Sequence, residues 1–162
     1  MANLVYILQG TILTWKDSGG DYAMTLNNLA AGAGRQGAVH DFGTSARADR
    51  FIWRLGVSFE TQPVVGEYLG IFAKTSDGTN PDNDDGTTDI AVSATDKLRN
   101  LTQIGSLVVD EAIVDVRMAA SGLVLLPHRY FMPIIWNYTA DNLQATANDA
   151  VFSLTPVPYQ IQ

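Results

Sequence analysis

Three groups of residues have types or spacing that binding and catalytic sites use, and the first is rich in glycine. Residues 32–37, GAGRQG, match the Gly-x-Gly-x-x-Gly pattern of dinucleotide-binding turns. Such a turn follows a buried strand, begins a helix, and precedes an acidic residue by about 20 positions. Residues 38–43 are too few, and end too soon in another glycine, to form that helix. The segment is therefore predicted to be a flexible, close-packed loop between strands that binds no cofactor.

The second group is an acidic stretch, residues 77–89, which contains no lysine or arginine. Its carboxylates are those of Asp77, Asp82, Asp84, Asp85 and Asp89. Carboxylate oxygens bind calcium, but an EF-hand loop requires glycine at its sixth position and glutamate at its twelfth. Counted from Asn80, these positions hold Asp85 and Ala91. We predict a solvated loop tip with turns set by glycine, proline and asparagine, and a calcium loop of another kind is the alternative.

The third group is the pair of histidines, His40 and His128. They are too few for a three-histidine zinc site, and neither lies in the paired motif of zinc proteases. The chain has no cysteine, so thiol nucleophiles and disulfides are excluded. It also lacks the Gly-x-Ser-x-Gly elbow of serine hydrolases, and its few glutamates form no close pair of the glycosidase kind. We therefore predict that the protein is not an enzyme and has no metal or cofactor.

The composition excludes several classes of partner. The 162 residues fit one domain, and 46% of them are hydrophobic, as in ordinary globular proteins. The net charge of −7 would repel a phosphate backbone, so nucleic-acid binding is not expected. No apolar run is long enough to predict a transmembrane helix, and the first residues lack the basic segment of a secretory signal. We predict neither nucleic acid nor a membrane as partner.

Alternation of large apolar residues with other residues predicts strands along most of the chain. It is clearest in residues 51–60, where every second residue from Phe51 to Phe59 is large and apolar. A strand places such residues on one face, whereas a helix would scatter them around its circumference. The same or a looser alternation occurs in residues 4–8, 11–15, 22–26, 64–74, 130–138 and 151–154.

Four local features refine this prediction. The turn-rich residues 16–21 suggest a hairpin between the two strands that flank them. Pro133 cannot donate a hydrogen bond to a sheet, so it is predicted to lie at an edge or a bulge. Residues 93–96, SATD, resemble a capping box and predict one or two helical turns. Residues 110–120 are predicted to be a strand, because their β-branched residues disfavour a helix.

Together these features predict a single all-β domain over residues 1–162. Turn signals at short intervals favour a sandwich or barrel over a layered α/β fold, with at most one or two short helical turns. Residues 1–10 are interpreted as an N-terminal arm. Residues 155–162 are interpreted as an extended C-terminal tail, because Pro156 and Pro158 exclude a helix there.

Candidate interface residues come from the tryptophans and arginines, which are enriched at protein contacts. Trp53 and Trp136 lie within alternating apolar segments and are predicted to be core residues. Trp15 precedes a polar turn and is predicted to be an exposed aromatic. Four arginines fall between residues 35 and 54, either as part of a mixed charged surface or as an interface patch. The predicted interface residues are Trp15, Arg35, Arg47, Arg50 and Arg54.

A family resemblance covers most of the chain, from Trp15 to Pro156. Residues 15–26 (WKDSGGDYAMTL) and the following 32–37 (GAGRQG) resemble the opening of a family of small virion proteins of tailed bacteriophages. Later segments fit the same family, although none of them carries a chemical motif: residues 79–81 (TNP), 104–108 (IGSLV), 129–130 (RY), 132–135 (MPII) and 152–156 (FSLTP).

The resemblance is to head decoration (cement) proteins, which are jelly-roll-like antiparallel β-sandwiches, often trimers, on the outer capsid surface. It implies a structural virion protein that stabilises the capsid by non-covalent bridging of its subunits. The implied partners are the major capsid protein and other copies of the same chain, as a homotrimer on the capsid surface. The apolar residues 4–8 depart from the family and are interpreted as an arm that docks on a neighbour.

Three alternatives stay open at this point. The first is a carbohydrate-binding module or a receptor-recognising phage protein, which would need an exposed aromatic platform. The second is an enzyme on a β-sandwich, with a pocket at His40 or His128. The third is a component of the tail or of the head–tail connector.

Overall fold

The computed structural model describes residues 5–7, 9–44 and 48–161. None of these residues is α-helical, and a single 3₁₀ turn covers Thr95–Leu98. The strands are β1 (Val5–Ile7), β2 (Leu13–Lys16), β3 (Tyr22–Ala23), β4 (Gly34–Gln36), β5 (His40–Asp41), β6 (Arg50–Val57), β7 (Tyr68–Ser76), β8 (Ile90–Val92), β9 (Thr102–Val108), β10 (Met118–Leu125), β11 (Tyr130–Asn137), β12 (Val151–Pro156) and β13 (Tyr159–Ile161).

The main strands form two sheets that pack face to face, which confirms the predicted all-β sandwich. The first sheet has the order β10-β6-β12-β2-β3. The second sheet has the order β8-β4-β11-β7-β9, and β5 also pairs with β11. Neighbouring strands are antiparallel, except that β2 and β3 are parallel.

The terminal segments form a separate two-stranded ribbon. β1 belongs to the predicted N-terminal arm and pairs antiparallel with β13 of the predicted tail, so that Val5 lies opposite Ile161. A hydrogen bond from the Gly10 amide to the Pro156 carbonyl lies between the β1–β13 ribbon and the β2–β12 pair. It makes the ribbon a continuation of that pair. The remaining residues of the arm, 1–4 and 8, lie outside the described residues.

The core lies between the sheets and follows the alternation in the sequence. In β6, Phe51, Trp53 and Leu55 point inward and are buried, whereas Arg50 and Arg54 point outward. β11 differs because it is buried on both faces. Residues of β8 and the 3₁₀ turn cover its outer face, where Trp136 joins a second small apolar cluster with Leu98. Trp53 and Trp136 are therefore core residues, as predicted.

Trp53 fills the edge of the sandwich between the two sheets. Its ring lies against Gly122 of β10, directly opposite it in the first sheet, and against Gly105 of β9 in the second sheet. A Cβ atom at Gly122 would lie 2.8 Å from the indole, and a Cβ at Gly105 would overlap it. The indole is therefore held from two sides, and each side has room only for glycine.

The glycine-rich segment is explained by packing against tryptophan. A Cβ at Gly34 would lie 2.5 Å from the Trp136 ring, and a Cβ at Gly37 would lie 2.7 Å from the Trp15 ring. The predicted close packing is confirmed. The middle of the segment is the strand β4, however, and not a loop.

The predicted hairpin between β2 and β3 is wrong. The chain folds back after β2 so that Asp21 lies beside Thr14, and the Asp21 carboxylate accepts hydrogen bonds from the amide and the hydroxyl of Thr14. The chain therefore returns to the start of β2 before β3 begins. β3 then runs parallel to β2, with Tyr22 opposite Trp15.

Pro133 lies in the interior strand β11 and not at a sheet edge, but the predicted irregularity is present, because residues 37–39 lie opposite only two residues, 132 and 133. Its carbonyl accepts from the Gly37 amide, on the side where β4 has ended and β5 has not begun. A residue's N and O atoms point to the same side of a strand, so the missing N–H falls in this gap. The other side pairs with Ala73 of β7 without needing that N–H.

Two other local predictions have mixed outcomes. The helical turn predicted at residues 93–96 is present as the 3₁₀ turn, but Ala94 occupies its N-cap and no side chain caps it. The strand predicted over residues 110–120 begins only at Met118. Residues 110–117 form a loop in which Asp115 adopts a positive φ of 59°, a turn conformation that ends strand pairing.

Candidate interaction surfaces

Trp15 is buried, so the prediction of an exposed aromatic is wrong. It lies on β2, between β12 and β3, and its side chain is 0% exposed. The indole Nε1 donates to the Ala38 carbonyl at 2.8 Å, and the ring stacks on Tyr22 with 4.9 Å between centroids. The polar turn after Trp15 folds back along the sheet, which places the tryptophan in the core.

Arg35 on β4 binds a carboxylate of its own domain. Its Nε donates to Asp89 at 2.5 Å, and Asp89 also accepts from the amide and the hydroxyl of Thr25. Burial alone would raise the pKa of Asp89, but the hydrogen bonds from Arg35 and Thr25 outweigh it and lower the pKa. Arg35 thus ties the acidic stretch to the sheet. Arg47 lies outside the described residues.

The other two predicted arginines lie on the outer face of the first sheet. Arg54 is exposed and pairs across the strands with Ser121, while the half-buried Arg50 pairs with Leu125 at the margin. Leu123 and Leu125 of β10 point outward on this face and are 59% and 62% exposed. We call this surface the β6–β10 face, and its residues are Ile52, Arg54, Arg117, Leu123 and Leu125, with Arg50 at its margin.

The β6–β10 face is basic as well as apolar. The Arg117 guanidinium lies across Gly56 on the outer side of β6, where a Cβ would approach its Nε to 2.6 Å. In the described strands β2, β6, β10 and β12, none of the outward residues is acidic. The sequence does not indicate that Leu123 and Leu125 are exposed. Both faces of β10 have apolar or small residues, so the sequence pattern does not show which face points inward.

A second apolar surface lies at the end of the sandwich where β6, β9 and β11 finish. It is formed by the loops of residues 58–67, 109–117 and 138–150, together with the strand residues next to them. We call it the loop end. Its exposed apolar residues are eight of the twelve large ones exposed in the described part of the chain: Val64, Val65, Tyr68, Val108, Ile113, Val114, Val116 and Tyr138.

The loop end is held together by backbone hydrogen bonds between its loops. The Gly66 amide donates to the Val109 carbonyl at 2.9 Å, and the Val109 amide donates to Glu67 at 2.8 Å. The Tyr68 and Tyr138 rings lie 4.8 Å apart. These contacts join the 58–67 loop to the 109–117 loop and bring the two tyrosine rings together.

The loops of the loop end are rich in acidic residues. Its three loops contain seven of the chain's 17 acidic residues and one basic residue, Arg117, which lies across β6 on the other surface. The acidic residues are Glu60, Glu67, Asp110, Glu111, Asp115, Asp141 and Asp149. The two apolar surfaces therefore carry opposite charge.

The acidic stretch is only partly a solvated tip. Residues 77–81 are exposed, as predicted, but Asp82, Asp85 and Asp89 turn toward the sheet. Asp82 accepts from the amide and hydroxyl of Thr75, and Asp85 pairs with Lys97 at 3.0 Å. No cluster of three metal-ligating side chains occurs among the described residues.

Lys74 holds this stretch against the second sheet. It is 1% exposed, and its Nζ donates to the Gln36 Oε1 at 3.1 Å, to the Gly86 carbonyl at 2.8 Å, and to the Asp85 carbonyl. Burial lowers the pKa of Lys74, and the carboxylate of Asp85 opposes that shift. A cavity of about 250 Å³ lies beside this ammonium group, next to Tyr130 and Met132.

The two histidines lie in different surroundings. His40 packs edge-on against Phe42, and its Nδ1 is 2.5 Å from the Tyr22 hydroxyl. Burial lowers the pKa of His40, although Asp41 and Asp21 oppose the shift. His128 is exposed and lines a cavity of about 190 Å³ with Asp82 and Asn100. Because His128 lines a cavity, the enzyme alternative stays a hypothesis. In the described part of the chain, no hydrogen bond to another residue orients the His128 ring.

His40 is expected to make the domain less stable in mild acid. The unfolded chain binds a proton at a pKa near 6.5, and the folded state binds it less readily. The neutral His40 ring contributes fully to the free energy of unfolding above pH 6.5. This contribution is lost as the pH falls through the lowered pKa of His40. Urea unfolding at pH 7.5 and 5.5 should show a smaller loss for His40→Gln than for the wild type. His128→Gln, which leaves His40 in place, is the control, and equal losses in all three proteins would contradict the prediction.

No protein-family model matches the chain, and no curated protein matches it. None of the helical segments among the described residues is long and apolar enough to cross a membrane.

Proposed function

We propose that this protein is a structural virion protein that decorates the outside of a tailed-phage capsid. It would stabilise the capsid by non-covalent bridging of capsid subunits, as a homo-oligomer seated on the lattice. The observation that carries the proposal is the pair of exposed apolar surfaces. Ten of the twelve large exposed apolar residues in the described part of the chain lie on the β6–β10 face or at the loop end. Extended apolar patches on a folded domain mark contact sites.

The strand order supports the jelly-roll part of this proposal. Eight principal strands lie in the orders β2-β12-β6-β10 and β4-β11-β7-β9. Numbered along the chain, these are strands 1-8-3-6 in one sheet and 2-7-4-5 in the other, and two four-stranded sheets of eight strands support the jelly-roll topology that we propose. Jelly rolls occur in viral capsid proteins and in lectins, so the fold supports decoration without excluding sugar binding.

The mechanism requires at least two contacts for each copy. One surface binds another copy, and loops or termini reach the capsid subunits. When several copies are joined, each weak contact with the lattice raises the local concentration for the next one, so the assembly stays bound although no single contact is strong. The terminal ribbon of β1 and β13 extends beyond the first sheet and is suited to such a secondary contact.

Carbohydrate or receptor binding is the second candidate, and one observation favours it. Trp15, Trp53 and Trp136 are all buried, so none of them can provide a stacking platform for a sugar. Tyr68 and Tyr138, however, form an exposed ring pair inclined by 30° at the loop end. This pair is the aromatic platform that a sugar would use.

The proposed function is tested on heads of the parent phage that lack this protein. Addition of the purified chain is expected to give regularly spaced density over the whole outer surface of the head in cryo-electron microscopy. It should also raise the temperature at which the heads release their DNA by several degrees, since binding only the intact lattice stabilises that lattice. Density confined to the tail or connector, or glycan-array binding without binding to heads, would overturn the proposal.

A further inference from the structure

We infer that copies of this chain bind one another head to tail, with the β6–β10 face of one copy seated on the loop end of the next. The inference deepens the proposed function and rests on it for its purpose. The contact itself lies between two copies of the chain. It can therefore be measured in solution without a capsid.

The first reason is chemical complementarity. The β6–β10 face has the exposed leucines Leu123 and Leu125 toward one end and the arginines Arg54 and Arg117 toward the other. The loop end has eight exposed apolar residues, and its three loops contain seven carboxylates. No ion pair within the described part of the chain involves Arg54 or Arg117. Contact between the two surfaces would bury apolar area and bring opposite charges together at its rim, the arrangement expected of protein interfaces.

The second reason is that one copy cannot make this contact within itself. β10 runs from the loop end toward the opposite end of the sandwich. Leu125 lies about 23 Å along the strand from Met118, because a strand rises about 3.3 Å per residue. The β6–β10 face also points sideways from the strands, whereas the loop end points along them. The two surfaces can therefore meet only when they belong to different copies.

The third reason is that symmetric contacts are disfavoured. A two-fold contact of the β6–β10 face with itself would bring two copies of Arg54 and Arg117 into one interface. A two-fold contact of the loop end with itself would oppose two sets of seven carboxylates. Like charges across an interface act against association. A head-to-tail contact avoids both, and such contacts form closed rings when the rotation between copies closes.

The test uses two variants that each damage one surface. Leu123→Glu places a carboxylate on the β6–β10 face, and Val65→Glu places one in the apolar centre of the loop end. Both side chains are more than half exposed, so the domain is expected to stay folded, as checked by circular dichroism. Ile90→Glu is the matched control, because Ile90 is exposed on β8, away from both surfaces.

We expect the wild type and Ile90→Glu to assemble in sedimentation velocity runs. Each of the other two variants should weaken self-association about 30-fold or more, as loss of a central interface residue does. The decisive sample is their equimolar mixture. The Leu123→Glu copy keeps an intact loop end and the Val65→Glu copy keeps an intact face, so the mixture should form a two-chain complex and no larger ring.

Three results would overturn the inference. These are a wild type that is monomeric at its highest soluble concentration, variants that still assemble, or a mixture that stays monomeric. A symmetric contact of one surface with itself would give the second result, because only the variant in that surface would then stop assembling. If the wild type also binds and stabilises heads while any of these holds, the head-to-tail contact is wrong and the proposed function stands. Assembly in solution without binding to heads would instead support the contact and overturn the proposed function.

Discussion

Gly105→Val is expected to prevent the domain from folding stably. A Cβ at this position would overlap the Trp53 ring, and the ring cannot move away because Gly122 confines its other side. Overpacking of a rigid core commonly costs about 1 to 3 kcal/mol, and more where neighbours cannot shift. Here the obstacle is a buried indole fixed from two sheets, so we expect a loss of more than about 3 kcal/mol. This is a large share of the stability of an ordinary domain.

The measurement is the free energy of unfolding in urea, followed by tryptophan fluorescence and by circular dichroism. Gly86→Ala is the control, because a Cβ at Gly86 would meet no atom within 4 Å. That variant should unfold within about 0.5 kcal/mol of the wild type, as surface substitutions usually do. A stable Gly105→Val protein would show that β9 can move away from Trp53, and the indole would then not be confined from two sides.

Lys74→Met is expected to release the acidic stretch from the second sheet. Methionine keeps the length of the buried chain but cannot donate to Gln36 or to the carbonyls of Asp85 and Gly86. Hydrogen bonds from a charged group contribute about 1.5 to 3 kcal/mol, and buried acceptors left without a donor add to the loss. Removing the buried charge offsets part of it, because burial disfavours the ammonium form. We expect a net loss of about 2 kcal/mol.

The effect should be local before it is global. Amide hydrogen exchange and limited proteolysis are expected to increase in residues 77–89 and to change little in β6 or β11. Lys97→Met is the matched control, because Lys97 makes a more exposed ion pair with Asp85, and such pairs contribute about 1 kcal/mol or less. Equal protection of residues 77–89 in the wild type and the Lys74→Met variant would contradict the role given to Lys74.

The sequence predicted well wherever one strand face is buried and the other is not. Phe51, Trp53 and Leu55 identify β6 and its inward face, because burial repeats with the period of the strand. The prediction was weaker where both faces are covered, as in β11, whose outer face is buried under residues that are distant along the chain. For β10 the predicted strand, residues 110–120, overlaps only its first three residues, and neither face of β10 is distinctly polar.

The candidate surfaces depended on information that no local pattern contains. Arg35 and Arg54 look alike in the sequence, yet Arg35 is paired with Asp89, 54 positions away, and Arg54 points outward. Trp15 is buried and not exposed, because the chain after it turns back twice and adds the parallel strand β3 beside it. Val64, Val65 and the apolar residues of the 109–117 loop resembled strand residues by type. Only their place between strands shows that they form an end surface.

The position of β12 determines when this protein can finish folding during synthesis. β12 is the last strand of the first sheet along the chain, yet it lies between β6 and β2 and pairs with both. Until β12 leaves the ribosome, β6 and β2 have no strand between them, and the first sheet cannot form as one unit. The first sheet must therefore wait for β12, and sheets built from distant segments form slowly. During that delay the uncharged edge strand β10 is open to pairing with other chains.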